Sequence, residues 1–187
     1  MDNNLINISF CSRKFGNCEQ IADFIYKHFN NRTNVSVYKF SDFSIEPCGK
    51  CNYECFGNNT ACPYFNDMEF TLLDQICGSD MVYFVLPNYC DYPCANFFIF
   101  NERSQCYFQN HAERLERYLQ VPKKFIVVSN SKAESFTEAF QQHTDAEPRI
   151  LYLSSKAYGK RSITGDILTA DQAQRDLKLF LEAEYAN

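Results

Sequence analysis

Two groups of residues in this chain have the types and spacing to do chemistry. The first is Cys48, Cys51, Cys55 and Cys62, separated by two, three and six residues within Pro47 to Pro63, a segment with neither helical nor strand periodicity. Thiolates this close in sequence can occupy the corners of one 4Fe-4S iron–sulfur cluster, which needs four sulfurs and little protein between them. Four thiolates also suit a structural zinc ion, although zinc is commonly held by two separated Cys-x-x-Cys pairs and only Cys48 and Cys51 make one here. Unligated thiols are the third reading.

The second group is the polar loop from Cys11 to Cys18, which contains Ser12, Arg13, Gly16 and Asn17. Its chemistry would be anion binding. Leu5, Ile6, Ile8 and Phe10 read as a buried strand, and Ile21, Ala22, Phe24, Ile25 and Phe29 recur at helical spacing directly afterwards. A loop in that position leaves backbone N–H groups unpaired at a helix N-terminus, where the dipole also favours negative charge. Ser12 and Asn17 can add side-chain donors, and Arg13 offers a fork suited to phosphate oxygens. The same residues equally suit an ordinary strand-to-helix turn with a solvated Arg13-Lys14 pair.

The elements that must position both groups alternate along the chain. Val35, Val37 and Phe40 mark a second strand; Phe70, Leu72, Leu73 and Ile76 mark a helix capped by Asn66 or Asp67 and ended near Gly78. Met81 to Leu86 is a continuous apolar run, the pattern of a strand buried on both faces. Ala95 to Tyr118 reads as helix with a break near Asn101 to Gln105. Phe125 to Val128 and Ile150 to Leu153 are strands on either side of a helix from Glu134 to His143, and a last helix runs from about Ala170 to Tyr185, with Leu177, Phe180 and Leu181 facing inward. Five strands alternating with helices predict an α/β fold: a five-stranded parallel sheet with helices on both faces, a three-layer sandwich. Such a sheet binds ligands beyond the carboxyl ends of its strands, where the strand order reverses, and the Cys11 to Cys18 loop belongs at that edge.

Composition sets the setting. The length, 187 residues, and 45% hydrophobic content suit one domain over the whole chain, with a cysteine-rich insert at about 47–63. Net charge is −5 without a basic run, so no nucleic-acid footprint is visible. No apolar stretch is long enough to span a membrane, and the N-terminus lacks a signal peptide's basic and apolar regions, which together predict a cytoplasmic protein. In a reducing compartment the ten cysteines are read as metal ligands or redox groups before disulfides. Cys77 and Cys106 read as small interior residues, and His28, His111 and His143 as surface or packing residues.

Three motifs in this order resemble a known family. Phe10-Cys11-Ser12-Arg13-Lys14-Phe15-Gly16-Asn17-Cys18 resembles the phosphate loop of the flavodoxin-like NAD(P)H-dependent FMN reductases. Leu86-Pro87-Asn88-Tyr89, followed by Phe100-Asn101-Glu102-Arg103, resembles their second flavin loop. The cysteine segment followed by Asn66-Asp67-Met68 is similar to their iron–sulfur flavoprotein branch. The resemblance implies a flavodoxin-like fold and FMN held at its phosphate by Cys11, Ser12, Arg13, Gly16, Asn17 and Cys18. Pro87, Asn88, Tyr89 and the adjoining Cys90 would line the ribityl chain and ring. It further implies reduction by NAD(P)H or a protein donor, an iron–sulfur cluster on Cys48, Cys51, Cys55 and Cys62, and a homodimer with the flavin near its interface.

The chain departs from that pattern in four places. Cys11 and Cys18 replace hydroxyl residues, a loss of about 1–3 kcal/mol in hydrogen bonding to phosphate. Phe10 stands where a loop glycine is usual, Asp91 and Tyr92 follow Pro87-Asn88-Tyr89, and Ser129-Asn130-Ser131 lacks a glycine pair. Two other readings differ in class. Cys11 at the mouth of an anion loop is similar to the nucleophile of low-molecular-weight tyrosine phosphatases, but Asn17 occupies the place of their arginine. A chain that kept the fold, lost flavin and uses its cysteines for metal binding or redox sensing is the other. The basic loop Lys156 to Arg161 is either a solvated turn or a contact for a nicotinamide cofactor's phosphate.

Overall fold

The computed structural model describes residues 3–56, 62–109 and 111–183. The central part of the cysteine segment, 57–61, therefore lies outside the described residues. In chain order the elements are β1 (Asn4–Ser9), α1 (Asn17–Phe29), β2 (Asn34–Lys39), α2 (Met68–Cys77), β3 (Met81–Tyr89), β4 (Tyr92–Pro93), α3 (Ala95–Phe108), α4 (Ala112–Gln120), β5 (Lys123–Val128), α5 (Glu134–Gln141), β6 (Arg149–Leu153) and α6 (Asp171–Glu182). The sheet runs β2-β1-β3-β5-β6 with all four pairings parallel, and the two-residue β4 folds back antiparallel on the end of β3. This is the expected five-stranded parallel sheet, and its order reverses between β1 and β3.

Alternation along each strand builds two cores. Ile6, Ile8, Phe10, Val82, Phe84, Leu86, Phe125 and Val127 face a cluster shared with α2 to α5. Leu5, Tyr83, Val85, Ile126, Val128 and Leu153 face a second cluster shared with α1 and α6. With a period of two, each strand serves both layers, which is why β1, β3 and β5 are buried on both faces, β1 with the polar Asn7 and Ser9 on one of them. Phe10 belongs to the first core: it is fully buried, with its ring 5.0 to 5.6 Å from those of Phe40, Phe84, Phe97 and Phe100. It ends the strand instead of occupying a loop glycine's place.

Three expectations need correction. α3 runs unbroken through Asn101 to Gln105 and ends at Phe108, with α4 beginning at Ala112. The polar residues are its solvent side, while Phe97, Phe100, Arg103 and Tyr107 recur at helical spacing against the core. The strand expected from Phe125 begins at Lys123, and Lys123 and Lys124 are both buried. Their stems lie in opposite layers, and the Lys124 ammonium caps the C-terminus of α6 through the carbonyls of Phe180 (2.9 Å), Leu181 (3.2 Å) and Ala183 (2.6 Å). Finally, Cys77 and Cys106 are only partly buried. Among the described residues no helix is long and apolar enough to cross a membrane.

Candidate functional site

Four loops meet at the carboxyl edge of the sheet, beside the β1/β3 reversal. The first joins β1 to α1. Gly16 is the N-cap of α1 and offers no side-chain cap, and the first intrahelical bond is Gln20 N–H to Gly16 O at 3.1 Å. The amides of Asn17, Cys18 and Glu19 thus precede the helical ladder, where an anion is favoured. Phe15 takes a left-handed φ of 59°, and its N–H donates to the Glu19 carboxyl at 2.5 Å, so an internal acid already serves one loop amide.

The same loop holds a pair of thiols. Cys11 and Cys18 are both buried in the α1/α6 core, and the Arg13 N–H donates to Cys11 Sγ at 3.4 Å. The Cys18 thiol donates to the Cys11 sulfur and, against the opposing effect of burial, lowers the Cys11 pKa to about 6; the Arg13 backbone and guanidinium act in the same direction. The Cys18 thiol is driven well up by that same bond and by burial. Cys94 donates to Phe10 O at 3.4 Å and is pushed up to about 11, chiefly by burial.

The second loop is the hairpin between β3 and β4. Cys90 (φ 54°) and Asp91 (φ 65°) both adopt left-handed backbone, the signature of a two-residue type I′ turn, here without glycine. Side chains from the third loop hold it. Asn88 Oδ1 accepts from Asp91 N–H at 2.8 Å, while Asn88 Nδ2 donates to Ser129 Oγ at 2.6 Å and Ser131 Oγ at 2.9 Å. The Ser131 hydroxyl and Asn88 amide both donate to the Asp91 carboxyl and lower its pKa in that order.

The fourth loop, after β6, lies across the first. Arg13 Nη1 donates to Ile163 O at 3.3 Å, and Asn17 Nδ2 donates to Ser162 O at 3.1 Å. Asn17 Oδ1 accepts from Ile167 N–H at 3.0 Å, so this amide, expected to point at phosphate, straps two loops together. Gly165 makes the approach possible: its φ is 70°, and a Cβ there would lie 2.8 Å from Phe15 O.

Between the loops runs a chain of cavities. One of about 370 Å³ is bordered by Cys11, Ser12, Arg13, Pro87, Tyr89 and Asn96. A second, about 130 Å³, shares Cys11, Arg13, Pro87 and Tyr89 with it and reaches Gly16, Asn17 and Cys18. A third, about 190 Å³, continues from Asn88 past Cys90 and Asp91 to Ser129 and Ser131. Cys11, Ser12, Arg13, Gly16, Asn17 and Cys18 of the expected phosphate loop and Pro87, Asn88, Tyr89 and Cys90 of the second all border these cavities, whereas Lys14 and Phe15 border none of them. A broader groove of about 800 Å³ between α3 and α4 lies away from the sheet edge and gathers none of them.

Sequence reasoning missed Asn96, whose amide donates to Phe10 O at 2.7 Å and Ser12 Oγ at 2.8 Å, and it missed the strap at Ser162 and Ile163. Gly165 was the available signal, a glycine in the loop after the last strand marking a close backbone approach.

The cysteine segment is arranged otherwise than expected. Cys48 is exposed, Cys51 and Cys62 are partly buried and Cys55, in the short 3₁₀ turn Glu54–Phe56, is buried. Cys55 and Cys62 share hydrogen bonds with Cys106 of α3, whose thiol burial and these neighbours push up to about 12. Among the described residues no group of three or more His, Cys, Asp or Glu side chains converges to hold a metal ion. The described residues thus give no support to the cluster expected on Cys48, Cys51, Cys55 and Cys62. Beside them, Arg103 is buried and donates to Asp67 Oδ2 at 2.7 Å and Glu46 O at 2.7 Å. Asp67 also caps α2 through Glu69 N–H at 3.0 Å, so the Asn66-Asp67-Met68 and Glu102-Arg103 motifs meet in one buried ion pair.

No family model and no curated relative matches the sequence. Solved structures do. The chain superposes on NAD(P)H:quinone oxidoreductase from Methanothermobacter marburgensis with a TM-score of 0.64 at 8% identity, over 98% of this chain and 100% of that one. Trp repressor binding protein from Bacillus subtilis gives 0.60 at 14% identity, over 98% and 99%. An azoreductase from Bacillus anthracis strain Sterne gives 0.56 at 12% identity, over 96% and 95%. At these identities the likeness establishes architecture alone: the fold is flavodoxin-like.

Proposed function

We propose that the chain binds FMN along the channel at the carboxyl edge of the sheet and works as an NAD(P)H-dependent flavin oxidoreductase. The observation that carries this reading is the uncapped N-terminus of α1, opening beside Arg13 into a channel of adjoining cavities, about 370 and 130 Å³, at the strand-order reversal. A depressed Cys11 pKa supports it, because it reports that hydrogen-bond donors and Arg13 already favour negative charge at this point. The fold-level likeness to a quinone oxidoreductase and an azoreductase agrees.

In this reading the residues divide the work. The amides at the start of α1, with Ser12 and Arg13, hold the phosphate. Pro87, Asn88 and the largely exposed Tyr89 border the ribityl chain and ring, and the rigid hairpin at Cys90 and Asp91 fixes their position. When bound, FMN would supply hydride acceptance from a nicotinamide and delivery to an acceptor. The chain contributes binding, orientation and the Asn88–Ser129–Ser131 polar wall. A homodimer belongs to the proposal, since Tyr89 and Tyr92 leave aromatic surface exposed beside the channel.

Titrating FMN into the purified protein and following flavin fluorescence tests it. FMN should bind, riboflavin, which lacks the phosphate, should bind more weakly, and Arg13→Ala should cost roughly 10- to 100-fold in FMN affinity, the range of a lost charged hydrogen bond. Equal binding of FMN and riboflavin, untouched by Arg13→Ala, would reject the phosphate cradle; no binding of either would reject the function.

A further inference from the structure

The thiol pair in the first loop is built for a reaction of its own. Cys11 lies two residues beyond the end of β1 and Cys18 in the first turn of α1, and both residues border the same 130 Å³ cavity with Arg13 and Asn17. Cys11, unlike Cys18, also borders the neighbouring 370 Å³ cavity. Its nearest donors, the Cys18 thiol and the Arg13 N–H, stabilise it as an anion. Cys94, the third thiol nearby, is turned away onto Phe10 O. A nucleophilic cysteine with a second cysteine beside it on the wall of the same cavity is the arrangement that oxidises reversibly.

We propose that Cys11 and Cys18 form a peroxide-reactive dithiol, in which Cys11 is the attacking sulfur and Cys18 resolves it to an intramolecular disulfide. The Cys11 thiolate attacks one oxygen of hydrogen peroxide; the S–O bond forms, the O–O bond breaks, and the released hydroxide takes a proton to become water. Cys11 is then a sulfenic acid without negative charge, which removes part of what held the proton on Cys18. The Cys18 sulfur attacks Cys11, the S–S bond forms, the S–O bond breaks, and hydroxide leaves as a second water with the Cys18 proton. Two electrons pass from the two sulfurs to the peroxide.

The disulfide also replaces a negatively charged thiolate and its thiol donor with a neutral crosslink at the mouth of the cradle. That consequence rests on the flavin reading, whereas the oxidation does not.

The protein is treated with limiting hydrogen peroxide, blocked with N-ethylmaleimide and digested without reduction, and its peptides are identified by mass spectrometry. The expected product is a Cys11–Cys18 linked peptide pair that reducing agent separates. Cys18→Ser should instead accumulate a dimedone adduct at Cys11, and Cys94→Ser should leave the Cys11–Cys18 link unchanged. Recovery of Cys11 and Cys18 both alkylated while other cysteines are oxidised would overturn the proposal, as would a Cys18→Ser protein without the adduct. FMN titration of the reduced and oxidised forms separates the two readings: a disulfide in a protein that never binds FMN leaves the dithiol standing and removes the flavin.

Discussion

Asn17 Oδ1 accepts a 3.0 Å hydrogen bond from the backbone of Ile167, tying the first turn of α1 to the loop that precedes α6. The other end of the same amide reaches Ser162 O at 3.1 Å, and Asn17 is only 5% exposed. Removing it leaves the buried Ile167 N–H without a partner, at about 1–3 kcal/mol, whereas the carbonyl of the exposed Ser162 can turn to water. Asn17→Ala should therefore lower unfolding free energy by roughly 1–3 kcal/mol in urea denaturation. It should also weaken FMN more than it weakens the fold alone, because the cradle loses its wall. A variant with unchanged stability would mean the strap carries nothing.

The buried Arg103 and Asp67 pair makes a second prediction. Arg103 is 1% exposed, and it holds Asp67 and the Glu46 carbonyl together beneath the cysteine segment. Replacing one partner of such a pair strands the other charge, typically at 3–5 kcal/mol. Arg103→Met should fall in that range, about 3–5 kcal/mol. Asp67→Asn can still cap α2 and should cost less than Asp67→Ala, which loses cap and pair together. Equal losses for the two Asp67 variants would show that the cap contributes nothing beyond the charge.

What could be read from the sequence follows from the range of the forces involved. β1, β3 and β5 were legible because a strand buried on both faces has an apolar run, and the Asp67 cap and Gly78 end of α2 are local signals. Lys123 and Lys124 fell outside the strand read from Phe125 because their type suggests solvent, whereas strand position and carbonyl partners bury them. The cavity-lining loops were legible by resemblance and strand order. The strap from Asn17 to Ser162 and Ile167 was not, since its partners lie 145 and 150 residues away and backbone acceptors have no sequence signature. The β4 hairpin escaped notice because Cys90 and Asp91 are not turn glycines; only the Asn88, Asp91 and Ser131 hydrogen bonds explain their left-handed backbone.

Glu69 sets up a third prediction. It is fully buried in α2, and among the described residues neither carboxyl oxygen has a hydrogen-bond partner. Burial, opposed by Arg103, raises its pKa well above the usual carboxylate value. The folded protein thus keeps a proton that the unfolded chain releases above its ordinary pKa, so this group's contribution is fully present at acid pH and declines as pH rises. Glu69→Gln removes the titration. Its stability relative to the parent should improve from pH 4 to pH 7, and a constant difference across that range would refute the assignment.

His143 acts in the opposite sense. It is 2% exposed, its Nδ1 shares a 2.7 Å hydrogen bond with the Tyr118 hydroxyl, and the rings of Phe97 and Phe84 pack on it at 4.9 and 6.0 Å. Burial, with a smaller push from the Lys123 ammonium, lowers its pKa from 6.5 to about 3. Between those values the unfolded chain binds a proton that the native imidazole refuses, so stability is whole above pH 6.5 and falls as pH drops toward 3. A depression of that size corresponds to roughly a few kcal/mol at the acid limit. Glu69 works against this loss, so the two are best separated in the Glu69→Gln background. There, urea midpoints at pH 7 and pH 4 should differ less for His143→Gln than for His143, because glutamine has no proton to gain on unfolding. A His143→Gln variant that loses as much stability between the two pH values as its parent would place the acid sensitivity on another group.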